Sequence, residues 1–118
     1  LLAGKNYSLY KSSGKNLILE EFAIKSISGK LGLSGDTVTV PMQPEIFISL
    51  SMEDLSAMPF DVSLIRSGKI ATELKCDTPC KLSYIEETEI EEAGFYRIIV
   101  KGKETTLLSN PIFFFPEK

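Results

Sequence analysis

The chain has 118 residues and not one histidine. That absence excludes more chemistry than any residue present suggests. Histidine is the usual proton shuttle near neutral pH and the commonest metal ligand. Ser-His-Asp triads and zinc or iron centres built on imidazole are therefore closed to this chain. Tryptophan is missing as well, and cysteine occurs only twice. Glycan-binding sandwiches usually display exposed aromatic rings, and the Tyr and Phe residues here fall mostly in strand phase. No apolar run approaches the roughly 18–20 residues that a membrane span needs. Lys and Arg are scattered through a chain of net charge −3, so no concentrated basic face is offered to phosphates. Neither nucleic acid nor a membrane is expected as a partner.

What is present is alternation. Turn-prone residues recur at intervals of roughly 8–12, and apolar residues alternate between them, the pattern of a sandwich or barrel. Val38 and Val40 share one face of "DTVTVP", as do Ile46, Ile48 and Leu50 in "PEIFISLSM". Phe60, Val62 and Leu64 alternate in "FDVSLIR", Ser67-Gly68 supplies a tight hairpin turn, and "KIATEL" returns along it. "CKLSYIE" sets Leu82 and Tyr84 on one side, and "GFYRIIV" sets Tyr96, Ile98 and Val100 on another. "SMEDLSAMP" is the one stretch with a weak helical-cap pattern. The expected fold is all-β: an immunoglobulin-like antiparallel sandwich of about seven strands. Residues 1–19 read as a lead-in segment with a short strand at Asn6–Tyr10, and residues 20–118 as the sandwich. "LLAGKNY" without Met reads as the continuation of something longer. It holds no apolar core of about 7–15 residues of the signal-peptide kind, and the compartment is left open.

Gly94 and Tyr96 fit an immunoglobulin-type corner. There a tyrosine at the start of a strand turns its hydroxyl back to upstream backbone while its ring fills the core. Cys76 and Cys80, in "CDTPC", fall short of a four-ligand zinc site. They read as two free thiols beside a proline turn, with a local disulfide as the alternative. The glutamates of "SYIEETEIEEAG" (Glu86, Glu87, Glu89, Glu91 and Glu92) read as a solvated loop, not a calcium loop, which would favour Asp, Asn and Gly. Asn110-Pro111 reads as a kink where the last strand changes its pairing, because proline has no N–H to give to a ladder.

The phrase "AGFYRIIVKGKETTLLSNPIFF", together with "GDTVTV" and "VSLIRSGKIA", resembles the C-terminal β-sandwich of a class of PHP (polymerase and histidinol phosphatase) domain proteins. In these a metal-dependent phosphoesterase domain precedes a small Ig-like domain that closes on Gly-Phe-Tyr-Arg … Ser/Thr-Asn-Pro-Ile. The opening "LLAGKNY" is similar to the Ala-Gly-Arg-X-Tyr phrase at the junction, with Lys5 in place of Arg. The resemblance implies a non-catalytic accessory domain beside an upstream catalytic domain. The His and Asp metal motifs of the catalytic part have no counterpart here, so no catalytic, cofactor or metal residue carries over. Divalent metals are expected only in that other domain. The alternative is an independent carbohydrate-binding or adhesion sandwich; a self-contained enzyme is disfavoured for want of a nucleophile with a nearby base.

A strand sends successive side chains to opposite faces, so Phe113, Phe114 and Phe115 cannot all enter one core. If Tyr96 and Ile98 point inward, Phe95 and Ile99 point outward, and Ile65 does so on the strand before the hairpin. The candidate docking face is therefore Ile65, Phe95, Ile99 and Phe114. Its expected cover is the upstream catalytic domain or, in a homodimer, a second copy. The bland alternative is that residues 1–19 fold back over it.

Overall fold

The computed structural model describes residues 7–11 and 16–117. They form two β-sheets packed as a sandwich, with no helix among the described residues. The strands are β1 (Tyr7–Lys11), β2 (Leu17–Lys25), β3 (Leu31–Leu33), β4 (Thr37–Val40), β5 (Glu45–Met52), β6 (Pro59–Arg66), β7 (Lys69–Asp77), β8 (Cys80–Ile85), β9 (Gly94–Lys101), β10 (Thr105–Ser109) and β11 (Ile112–Pro116). The smaller sheet runs β3-β2-β5-β8. In the larger sheet one edge of β9 is paired with β6, which in turn pairs β7, while the other edge meets β10 and then β11.

Among the described residues the strands number eleven, against about seven expected. The difference lies mostly at the N-terminal end. β2 contributes Leu17, Phe22 and Ile24 to the core, so the expected boundary between residues 19 and 20 falls inside a strand. The described part of the lead-in segment does not cross the outer face of the larger sheet. β1 instead extends that sheet at its edge by pairing with β10, and β2 belongs to the other sheet. "SMEDLSAMP" makes no helix; it is a turn in which Asp54 Oδ1 accepts from the Ser56 amide at 3.0 Å.

β10 and β11 are two halves of one kinked strand, and Asn110-Pro111 is the kink. The first half pairs antiparallel with β1, the second parallel with β4. Alternation does not survive the kink unshifted. Thr105, Leu107 and Ser109 face inward before it, and Ile112 and Phe114 face inward after it, so the parity moves by one residue. The hairpin of β6 and β7 turns through Ser67 (φ 50°) and Gly68 (φ 89°), the doubly positive geometry that matches strand twist.

Inward alternation places Val40, Ile46, Ile48, Leu50, Val62, Leu64, Tyr96, Ile98 and Val100 in the core, and Val38, Leu82 and Tyr84 partly buried against it. β6, β9 and the β10–β11 strand lie in one sheet, so their outward residues share one face.

Candidate functional site

Two groups of side chains stand out. The first is inside. Tyr96 is fully buried, and its hydroxyl donates to Glu86 Oε1 at 2.7 Å. Arg66 Nη1 forms a salt bridge with the same oxygen, and the Tyr84 hydroxyl approaches Glu86 Oε2 at 3.4 Å. The partner of the corner tyrosine is thus a side chain ten residues upstream, not the backbone expected from the immunoglobulin pattern. Glu86 is not part of a solvated loop; it is buried, while Glu87, Glu89, Glu91 and Glu92 are exposed.

Strand phase explains the arrangement. Leu82, Tyr84 and Glu86 continue one inward alternation past the end of β8, and Val62, Leu64 and Arg66 do the same at the end of β6. Arg66 lies opposite Tyr96 in the β6–β9 ladder. A carboxylate and a guanidinium each brought inward at a strand end neutralise one another, and the phenol supplies a further donor to the carboxylate. Burial pushes the Tyr96 phenol far above its ordinary range, and the hydrogen bond to Glu86 raises it further. Gly94 is needed close by. A Cβ there would meet Ser67 Oγ and come within 3.1 Å of the Phe114 ring. Arg66, Tyr84 and Tyr96 thus converge on the one carboxylate of Glu86.

The second group is outside, on the larger sheet. Phe95, Arg97 and Ile99 alternate outward along β9, Ile65 lies opposite Arg97 on β6, and Leu108 lies opposite Ile99 on β10. Three of the four expected docking residues, Ile65, Phe95 and Ile99, are half-buried here. The fourth is a correction: Phe114 is only 2% exposed and packs in the core 5.0 Å from the Tyr96 ring, centroid to centroid. The parity shift at Asn110-Pro111 sends Phe113 and Phe115 outward instead, 45% and 53% exposed. Phe113 lies opposite Phe95, with their ring centroids 6.4 Å apart, edge to face.

Arg97 sits in the middle of this apolar face, and neither composition nor pattern singled it out. Its pairing explains its position. β9 is hydrogen-bonded to β10 as far back as Ile99 and to β11 only up to Tyr96, so Arg97 lies beside the kink. There the Ile98 amide turns to the buried Ser109 Oγ at 2.8 Å. The Arg97 guanidinium lies 5.9 Å from the Phe95 ring centroid. Its Nε is buried and has no hydrogen-bond acceptor among the described residues.

Cys76 and Cys80 are joined in a disulfide, which corrects the expectation of free thiols. The bond closes the turn by which the chain passes from β7 in the larger sheet to β8 in the smaller. Within that turn Thr78 is buried; its amide donates to the Met58 carbonyl and its hydroxyl to the Ser56 carbonyl, both at 2.9 Å. An open groove of about 600 Å³ beside it is lined by Asp61, Lys75, Asp77, Lys101 and Lys103, charges of both signs with no convergent arrangement. No three His, Cys, Asp or Glu side chains gather as a metal-ligand set among the described residues. No family model matches the chain, and a search of curated proteins finds no match.

Proposed function

We propose that this chain is a non-catalytic accessory domain that packs against a PHP-type metal-dependent phosphoesterase domain of the same protein. One observation carries the docking role. The outer face of the larger sheet carries Ile65, Phe95, Ile99 and Leu108, each half-buried, beside the exposed rings of Phe113 and Phe115. Monomeric proteins seldom leave a contiguous apolar face of this kind open. The identity of the partner rests on the resemblance of "GFYRIIV" and "SNPIFF" to the closing phrases of PHP-associated sandwiches. The interior polar groups support the same reading, because Arg66, Glu86 and Tyr96 are committed to one another.

The test has two arms. The isolated chain is assayed against generic phosphoesters with added manganese or zinc, and turnover no greater than that of a heat-killed control is expected. The encoded protein is then compared with a version lacking the whole sandwich, β1 included (residues 7–118). The accessory role requires that the deletion lower the thermal stability or the activity of the catalytic part. A catalytic part that behaves identically with and without the sandwich sinks the proposal.

A further inference from the structure

β7 lies at an edge of the larger sheet. It pairs with β6 on one side, and no described strand pairs with the other. With nine residues it is longer than β1, β3, β4 or β8, the other edge strands, none of which exceeds six. An open edge presents a row of N–H and C=O groups that a further strand can take up. Proteins block such pairing with a charge on the inward side of the edge strand or with a bulge. The inward residues of β7, opposite Phe60, Val62 and Leu64, are Cys76, Leu74 and Thr72, none of them charged. The bulge falls at Ala71, which leaves the ladder regular from Thr72 to Asp77. The charges of this regular part, Glu73, Lys75 and Asp77, are all on the outward side, where their signs alternate.

We infer that two copies of this chain join β7 to β7, antiparallel about a two-fold axis at Leu74, so that their larger sheets run on as one. Symmetry and charge select the register. Side chains keep their face when a two-fold axis extends a sheet, so the axis passes through a residue that meets its own copy. Three such axes leave most of the nine-residue strand paired. An axis at Glu73 sets two carboxylates against each other. An axis at Thr72 sets Lys69 against the partner's Lys75, twice over. An axis at Leu74 sets Glu73 against the partner's Lys75, twice over, and the two leucines against each other. Opposite charges and apolar pairs directly across a ladder stabilise it, and like charges weaken it. Lys75 is free to turn to a partner, because its side chain is 92% exposed and reaches Asp61 only at 4.0 Å. Leu74, half-buried at the open edge, gains cover from the same contact. The inference does not rest on the accessory-domain reading. β1 lies at the far edge of this sheet, beyond β6, β9 and β10, and stays clear of the joined strands.

Sedimentation equilibrium of the 118-residue chain tests this. A mass near twice 13.1 kDa is expected at high concentration, falling towards that of one copy on dilution. Glu73→Lys and Lys75→Glu should each raise the dissociation constant by roughly tenfold or more, since each turns two attractive pairs into two repulsive ones. Glu73→Lys combined with Lys75→Glu restores opposite charges across the axis and should return the dissociation constant to within about threefold of the parent. Both positions are exposed, so urea midpoints of the single variants should stay where they are, and a lost dimer is then not a lost fold.

A chain that stays a single copy at every concentration overturns the inference. So does a dimer whose dissociation constant ignores both single variants, which would place the contact elsewhere, the outer face of the larger sheet included. A combined variant no tighter than the single ones rejects the Leu74 register and the proposal with it. Mass that grows beyond two copies also overturns it, because a two-fold β7 contact consumes the edge on which it forms.

Discussion

Tyr96 and Glu86 are ten residues apart in sequence and 2.7 Å apart in a buried hydrogen bond that ties the start of β9 to the end of β8. The bond links the two sheets, since β8 belongs to the smaller and β9 to the larger. Removing its donor leaves the carboxylate with one fewer partner. Tyr96→Phe is expected to cost about 1–3 kcal/mol, the range for stripping a partner from a buried polar group. Glu86→Ala should cost a similar amount, about 1–3 kcal/mol, because it strips the acceptor from the buried Tyr96 hydroxyl, while Arg66, whose side chain is 29% exposed, can turn to water. Urea unfolding of the two single variants and the double variant gives both values. Strict additivity would show that the two groups do not act together.

The same phenol makes the fold sensitive to alkali. In the folded chain Tyr96 is pushed well above its ordinary range by burial and by Glu86, while in the unfolded chain it titrates near about pH 10. The folded state therefore holds this proton more tightly. Its contribution is fully present below about pH 10 and declines as the pH rises from there towards the folded value. Urea midpoints at pH 8 and pH 11 should fall between the two conditions, and the fall should be smaller in Tyr96→Phe. An equal fall in both proteins would assign the alkaline loss to other groups.

The three phenylalanines are expected to separate cleanly. Phe114→Ala should cost about 3–5 kcal/mol as a buried aromatic truncation. Phe113→Ala and Phe115→Ala in the isolated chain should each stay within about 1 kcal/mol, as for exposed positions. Thermal or urea unfolding decides it. A large loss at Phe113 with none at Phe114 would mean that β11 is out of register by one residue.

The disulfide closes a short loop. On the chain-entropy estimate a five-residue loop stabilises by about 2 kcal/mol. Reduction, or Cys76→Ser with Cys80→Ser, should lower stability by that order and leave a folded sandwich, because the turn is also held by Thr78 and by the β6–β7 and β5–β8 ladders. Loss of the near-ultraviolet circular dichroism on reduction would show that the bond is required for the fold and not only a stabiliser of it.

Much of the architecture was legible because one face of each strand is buried, and alternation then specifies register. Val62 and Leu64, or Tyr96, Ile98 and Val100, could be placed inward from spacing alone. Phe114 could not. Its phase depends on how Asn110-Pro111 shifts the parity, and a proline announces a kink without giving the number of residues the kink absorbs. Glu86 was within reach, since Leu82, Tyr84 and Glu86 are in phase. Its charge, among four exposed glutamates, points the other way, and only the placement of Arg66 opposite Tyr96 supplies the partner that lets it be buried. Arg97 was out of reach. A lone arginine in an apolar strand reads as an ordinary outward residue. Its buried Nε follows from lying beside a break in the ladder, which no local pattern encodes. The disulfide was open for the same reason: a Cys-X3-Cys spacing permits the bond and does not demand it.

The kinked last strand has a consequence for how the protein is made. Residues 105–116 occupy the middle of the larger sheet, between β9 on one side and β1 and β4 on the other. Pro111 accepts from the Gly35 amide, Phe113 donates to Asp36, and Glu117 donates to Val40. β1 and β4 thus have no partner strand in their own sheet until residues 105–116 arrive. On a ribosome, the nascent larger sheet stays split into a β6–β7–β9 half and unpaired β1 and β4 until the last stretch clears the exit tunnel. Contacts of such long sequence separation fold slowly. The apolar phrase "SNPIFFF" is therefore the stitch that closes the domain, and a stalled or truncated chain lacking it would be a substrate for chaperones and proteases rather than a smaller version of the same fold.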